Sequence, residues 1–227
     1  MSKTVYLDLP APEAQVRALE MGDIVYLRGT IFTSRDRAYA RAVELLQQGQ
    51  PLPVDYARGA LWHCGPIMSQ STDGTWRLEV AGSTTSSRFS ARAAYLIRAL
   101  KQRVTLGKGT MNPEAVEAMK EVGAVFLSST GGCAALYAEQ IRRVVGVTWP
   151  DLEMCDAVWE FETDCMGPFI VNIDSRGNSF VCGKAEGDPG PHPGLLWKNR
   201  HRRHVQLRLS SKTHTWQNSL QRIREVF

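Results

Sequence analysis

Strand-like and helix-like segments alternate along residues 1 to 183, and this alternation limits the possible folds more than any other feature. The runs "DIVYLRGTIFT", "GALWHCG", "WRLEV", "RVTLG", "GAVFLSS", "VVGVTW", "AVWEFET" and "PFIVNID" read as strands. Between them, apolar residues recur at helical spacing near residues 12–20, 36–48, 89–101, 113–122 and 132–142. A chain patterned this way buries its sheet under helices, so an α/β fold is expected. The second half alternates regularly, and the first half is richer in strands. "DSRGNSF" reads as a hairpin turn, because Gly177 and Asn178 tolerate positive φ.

Four junctions where a strand feeds a helix are rich in Gly, Ser and Thr: "GTIFTSRD" (29–36), "AGSTTSSR" (81–88), "LGKGTMNP" (106–113) and "SSTGGCAA" (128–135). Such turns can gather at the carboxyl ends of strands, where free backbone N–H groups and helix dipoles favour anions. Three of them carry or adjoin a cation, so Arg35, Arg88 and Lys108 are candidates for one carboxylate or phosphate site. Three of the junctions also have a structural explanation. Thr84 or Thr85 can cap a helix, Pro113 suits a first helical turn, and Gly131 and Gly132 permit a tight turn. A cation at a helix start opposes the macrodipole and calls for an anion nearby. Asp36 stands next to Arg35, whereas Arg88 has no acidic neighbour in sequence. "GKGT" around Lys108 lacks the upstream glycine of a Walker A motif, which argues against a nucleotide P-loop.

The net charge of +4 is unevenly placed. Residues 184–227 hold nine Lys/Arg against three Asp/Glu, and residues 1–183 hold eighteen against twenty, so the basicity belongs to the tail. That tail opens on the spacer "GDPGPHPG" and carries four of the five histidines. A boundary is therefore expected at residue 183, with a basic tail over 184–227 that ends in a small amphipathic helix at "NSLQRIREVF". "KNRHRRH" lacks a recognition module, which argues against nucleic acid as a partner. No apolar run approaches the roughly 20 residues of a membrane span, and the first ten residues do not resemble a secretory signal, so a cytoplasmic location is expected. Cys64, Cys133, Cys155, Cys165 and Cys182 are scattered and never spaced as CxxC, which argues against a disulfide framework or a metal site carried by this chain alone.

The ordered set "GTIFTSRD", "HCGP", "STTSSR", "GKGT", "GAVFLSSTGGCAAL" and "VWEFETDCMGPFIVNIDSRGN" resembles the β subunit, or C-terminal domain, of class I fumarases and the related L(+)-tartrate dehydratases. The resemblance runs over about residues 1–182. It implies a swivelling β/β/α domain with a mixed central sheet and helices. It also implies half of a hydro-lyase that reversibly adds water to a C4 dicarboxylate, with fumarate/malate as first choice and L(+)-tartrate as the alternative. In that family a [4Fe–4S] cluster is held by an α partner, so this chain is expected to be inactive alone and to assemble as α2β2 or around a β homodimer.

Carried over by motif, Thr84 matches the threonine that abstracts the C3 proton, and Lys108 matches a carboxylate-binding cation whose charge, with that of Arg88, would also stabilise the threonine alkoxide. Thr85 matches a substrate-contacting threonine, and Arg35 and Arg88 match carboxylate grips. Guanidinium groups suit that task because they bind a carboxylate through two parallel hydrogen bonds. Three positions depart from the family pattern: Ser83 for proline, Thr110 for glycine and Phe89 for methionine. His63 and Cys64 lie at a strand end and either face substrate or support the core. Cys133, at a helix start, reads as a small buried side chain. The competing class is a non-catalytic anion-binding or regulatory module built on the same junctions.

Overall fold

The structure is a computed structural model and describes residues 2–180. Cys182, the expected boundary at 183 and the basic tail lie outside the described residues. In chain order the elements are β1 (Thr4–Asp8), α1 (Glu13–Arg17), β2 (Ile24–Thr33), α2 (Asp36–Gln47), β3 (Ala60–Trp62), β4 (Cys64–Gln70), β5 (Trp76–Ser83), α3 (Ser90–Leu100), β6 (Val104–Gly107), α4 (Pro113–Val122), β7 (Val125–Ser128), α5 (Ala134–Glu139), β8 (Arg143–Thr148) and β9 (Val158–Ile173). Among the described residues no helix is long and apolar enough to cross a membrane.

The main sheet is mixed and runs β1-β2-β3-β6-β7-β9-β8. β2, β3, β6 and β7 are parallel neighbours, while β9 is antiparallel to both β7 and β2. The five strands β2, β3, β6, β7 and β9 therefore close on themselves as a small barrel. Two irregularities in the β2–β9 register, between Val25 and Leu27 and between Leu27 and Gly29, mark where the pairing bends. β4 and β5 form a separate antiparallel hairpin, and α5 packs on β5.

The fold class expected from the sequence is the one observed, with three local differences. Residues 4–8 form an edge strand that the pattern analysis does not mark. "AVWEFET" and "PFIVNID" join into the single strand β9, although Gly167 and Pro168 read as breakers. The side-chain amide of Gln140 explains why the strand survives there: its Nε2 donates to the Gly167 carbonyl at 2.7 Å, and its Oε1 accepts from the Gly167 N–H at 3.0 Å. Both orphaned backbone groups are thereby satisfied. "DSRGNSF" does turn, with Gly177 at φ 86°, and the last described residues pair back through a bridge between Ile173 and Ser179.

Period-2 alternation sends neighbouring residues into two apolar clusters on opposite faces of the strands. Ile31, Trp62 and Leu127 enter one, together with residues of β1, α1 and the β4–β5 hairpin. Phe32, Leu61 and Phe126 enter the other, beneath the apolar stripes of α2, α3 and α4. These layers fix the strand ends rigidly, and the strand ends carry the candidate site.

Candidate active site

Because β2, β3, β6 and β7 are parallel and adjacent, their carboxyl ends lie along one rim. Main-chain hydrogen bonds continue past the strands: Ser34 N–H to the Trp62 carbonyl, His63 N–H to that of Leu106, and Ser129 N–H to that of Gly107, all 2.8–2.9 Å. The antiparallel hairpin returns Ser83 to Cys64, which delivers "TTSSR" to the same rim. There the Thr84 N–H donates to the His63 carbonyl at 2.7 Å, and the Thr84 carbonyl accepts from the Lys108 N–H at 3.3 Å. Ser86 N–H closes the stitch on the Lys108 carbonyl at 3.0 Å. Thr84 is thus threaded between the ends of β3 and β6, and two of the four junctions meet at this residue.

Each candidate has a definite setting. Thr84 is half-buried, while Thr85 and Lys108 are exposed. Lys108 extends toward the glycine-rich loop after β7: a Cβ on Gly131 would lie 3.7 Å from its Cδ. Its ammonium has no ion pair among the described residues. Thr85 occupies the position before the 3-10 turn Ser86–Phe89, but its hydroxyl makes no capping hydrogen bond, and α3 begins only at Ser90. The helix-cap explanation for the two threonines therefore does not hold. Asn112 and Pro113 do open α4 as expected.

Arg35 lies against Gly65. A Cβ there would fall 2.5 Å from Arg35 Nη1 and 2.8 Å from its Cδ, so the glycine makes room for the arginine. The buried Nε of Arg35 has no hydrogen-bond partner among the described residues. A buried donor left unpaired costs about 1–3 kcal/mol, which an incoming carboxylate would recover. Arg88 is different. Its Nη2 donates to Asp36 Oδ2 at 2.6 Å, and both side chains are exposed. The anion that the misplaced Arg88 calls for comes from the first residue of α2. An exposed pair is worth only about 0.2–1 kcal/mol, so a ligand carboxylate can share or displace Asp36.

Beneath this rim lies a buried histidine that sequence reasoning left ambiguous. His63 is fully buried, with Nε2 2.7 Å from the Tyr39 hydroxyl and Nδ1 2.8 Å from Ser86 Oγ. Its ring tilts against Phe89, centroids 4.8 Å apart, and Phe89 stacks on Tyr39 at 5.4 Å. Burial pushes its pKa down to about 3, so the imidazole is neutral near pH 7, and the same burial raises the Tyr39 phenol above its ordinary range. Gly107 permits this arrangement, since a Cβ there would overlap Ser86 Oγ and stand 3.1 Å from His63 Nδ1. His63 therefore does not face the open rim. Cys64 is likewise buried, and burial raises its thiol pKa.

The described cysteines do not assemble a cofactor site. Cys133 is half-buried, Cys155 and Cys165 are exposed, and no three His, Cys, Asp or Glu side chains gather with metal-ligand geometry among the described residues. The donor set among the described residues does not fit an iron–sulfur cluster.

Residues 1–182 match the family model described as fumarase C-terminus. The chain belongs to this family. It is 41% identical over 165 residues to a Methanocaldococcus jannaschii protein provisionally named L(+)-tartrate dehydratase subunit beta, covering 72% of this chain and 84% of that one. It is 32% identical over 175 residues to the Escherichia coli K12 L(+)-tartrate dehydratase subunit beta, covering 77% and 85%. A Geobacillus stearothermophilus protein provisionally named fumarate hydratase class I is 33% identical over 177 residues, which are 78% of this chain but 33% of that longer protein.

Within this fumarase C-terminus chain the three departures have structural partners. Ser83 Oγ accepts from Trp62 Nε1 and from Ser129 Oγ, both at 2.6 Å, and ties the hairpin to the rim where a proline could not. Thr110 Oγ1 donates to Asn172 Oδ1 at 3.2 Å. Phe89 fills the space over Tyr39 and His63. Sequence reasoning missed Tyr39, Ser86 and Ser129 because each is an unremarkable side chain until the strand ends are side by side. The partnership of Asp36 with Arg88 spans 52 positions and has no local signal.

Proposed function

We propose that this chain is the β half of a hydro-lyase that reversibly adds or removes water on a C4 dicarboxylate, with fumarate/malate as first substrate. The observation that carries the reading is the stitching of Thr84 between His63 and Lys108, on a rim that also holds Arg35, Thr85 and Arg88. Arg35, Arg88 and Lys108 set against Asp36 leave three positive charges and one negative. The balance of +2 matches a dicarboxylate dianion. Arg35 and Arg88 grip the carboxylates, and Thr85 contacts the substrate.

Thr84 receives the C3 proton during dehydration, and the C3–H electrons form the new double bond as hydroxide leaves C2. A threonine hydroxyl is a poor base in water. It can act only where water is excluded and positive charge stabilises its alkoxide and the charge developing on the adjacent carboxylate, which is the task of Lys108. The open rim cannot exclude water by itself. An α partner that closes it and carries the [4Fe–4S] cluster completes the site, in a cytoplasmic α2β2 assembly or one built on a β homodimer. The names of the E. coli and M. jannaschii relatives favour L(+)-tartrate as the second substrate.

The test is anaerobic reconstitution with a cognate α chain, assayed for fumarate hydration and tartrate dehydration. Thr84→Ala and Lys108→Ala are expected to lose activity by on the order of 100-fold or more with assembly intact. Full turnover in both variants removes these roles. Salt-sensitive nucleic-acid binding by the isolated chain, lost on deleting residues 184–227, would favour the non-catalytic class.

A further inference from the structure

We propose that His63 is a positioning residue for Thr84, acting through Ser86 and anchored by Tyr39. This inference rests on the hydro-lyase reading above and extends it to a residue that does not touch substrate. His63 holds the Thr84 loop at two points. Its carbonyl accepts the Thr84 N–H at 2.7 Å, and its ring reaches the hydroxyl of Ser86, two residues further on. The Ser86 hydroxyl also points to the Thr84 carbonyl at 3.5 Å, a contact longer and weaker than an ordinary O–H···O bond.

The direction of the chain follows from the Ser86 contact with Thr84. If Ser86 Oγ–H donates to Thr84, then Ser86 Oγ must accept from His63 Nδ1–H. A neutral imidazole has one donor and one acceptor, so Nε2 accepts the Tyr39 O–H. Each ring nitrogen and the Ser86 hydroxyl are then used in every sense they offer, with the ring in the Nδ1–H form. The ring cannot swing away, because Phe89 and Phe126 flank it and Gly107 lets Ser86 approach from below. Tyr39 comes from α2, whose first residue, Asp36, binds Arg88. The same helix therefore orients the proposed proton acceptor and one carboxylate grip.

A structural histidine and a positioning histidine make different forecasts. If His63 only fills space, its loss lowers stability and leaves turnover per folded molecule unchanged. If it sets the Thr84 loop, kcat falls while KM, governed by Arg35 and Arg88, stays within about twofold. A displacement of the reacting group by about 1 Å can cost up to about 100-fold in rate.

The measurement uses the complex of this chain with its α partner, carrying Ser86→Ala, His63→Gln, His63→Asn and the double variant His63→Gln/Ser86→Ala. Asparagine places an amide donor near the position of Nδ1, and glutamine near that of Nε2. The expected result is a kcat loss of about 10- to 100-fold for Ser86→Ala and His63→Gln. His63→Asn should recover most of the activity, and the double variant should be no worse than either single one. Unchanged kcat in Ser86→Ala and His63→Gln, or losses that multiply in the double variant, overturns the inference.

Amide exchange on the full chain separates this outcome from failure of the hydro-lyase reading. Ser86→Ala should speed exchange at the Thr84 N–H and leave β6 and β7 protected. If the wild-type complex shows no hydro-lyase turnover, the proposed function falls, and the Thr84 exchange rate alone decides the positioning role. Equal Thr84 exchange in wild type and Ser86→Ala overturns it.

Discussion

Mild acid should destabilise this chain through His63, and the structure sets the size of the effect. The ring is buried among Tyr39 from α2, Ser86 and Phe89 from the turn before α3, and Phe126 from β7, with no carboxylate in that set. Burial alone holds the folded pKa at about 3, against an ordinary value of 6.5. Between these values the unfolded chain binds a proton that the folded chain refuses. Stability is therefore complete above about pH 6.5 and falls as pH drops, by at most about 1.4 kcal/mol per unit. From pH 6.5 to 4.5 the loss is roughly 2–3 kcal/mol, a large share of a typical 5–15 kcal/mol. The lowered carboxylates Glu13, Asp73, Glu121 and Asp151 titrate below this window, since their ordinary values are 4.5 or 3.8. Their contributions are present above those values and vanish only in stronger acid. Urea unfolding at pH 7.0, 6.0, 5.0 and 4.5 measures the effect. Wild type should lose stability steadily, whereas His63→Gln should start lower at pH 7 and stay nearly flat, so the two curves converge near pH 5. Equal slopes in the two proteins would refute the reasoning.

Three further outcomes follow from contacts at the rim. Ser83→Ala leaves the Trp62 indole N–H without its acceptor, and the urea midpoint should report a loss of about 1–3 kcal/mol. Gly107→Ala places a methyl group on Ser86 Oγ, so reconstituted activity should fall along with stability, and a variant as active as wild type would contradict the described packing. Asp36→Asn frees Arg88 and raises the local charge by one; titration with succinate at low salt should show severalfold tighter binding that disappears at high salt, as expected for exposed charges.

Much of the fold could be read directly because its signals are local. The alternation of β-branched runs with amphipathic stretches marked β2, β6, β7 and β8, and Pro113 marked the start of α4. Where a tertiary contact overrode a local rule, the reading failed. Gln140 repairs the backbone at Gly167 from 27 positions away and fuses two expected strands into β9. β1 is short and half exposed, and it becomes a strand only because β2 offers a parallel edge.

For the candidate site, the sequence alone determined the chemical vocabulary: hydroxyls and cations at four strand-to-helix junctions, too many to be caps alone. Residue types and their short spacings are properties of the chain, so they can be read without coordinates. Tertiary structure decided which of those groups meet. Parallel pairing of β2, β3, β6 and β7 brings Ser34, His63, Lys108 and Ser129 to one rim, and the returning hairpin inserts Thr84 between two of them. It also decided that Arg88 is paired, that the Arg35 Nε is not, and that His63 lies beneath the site and does not face the rim. These are relations between residues tens of positions apart. Closure of the barrel creates them, and no local pattern encodes them.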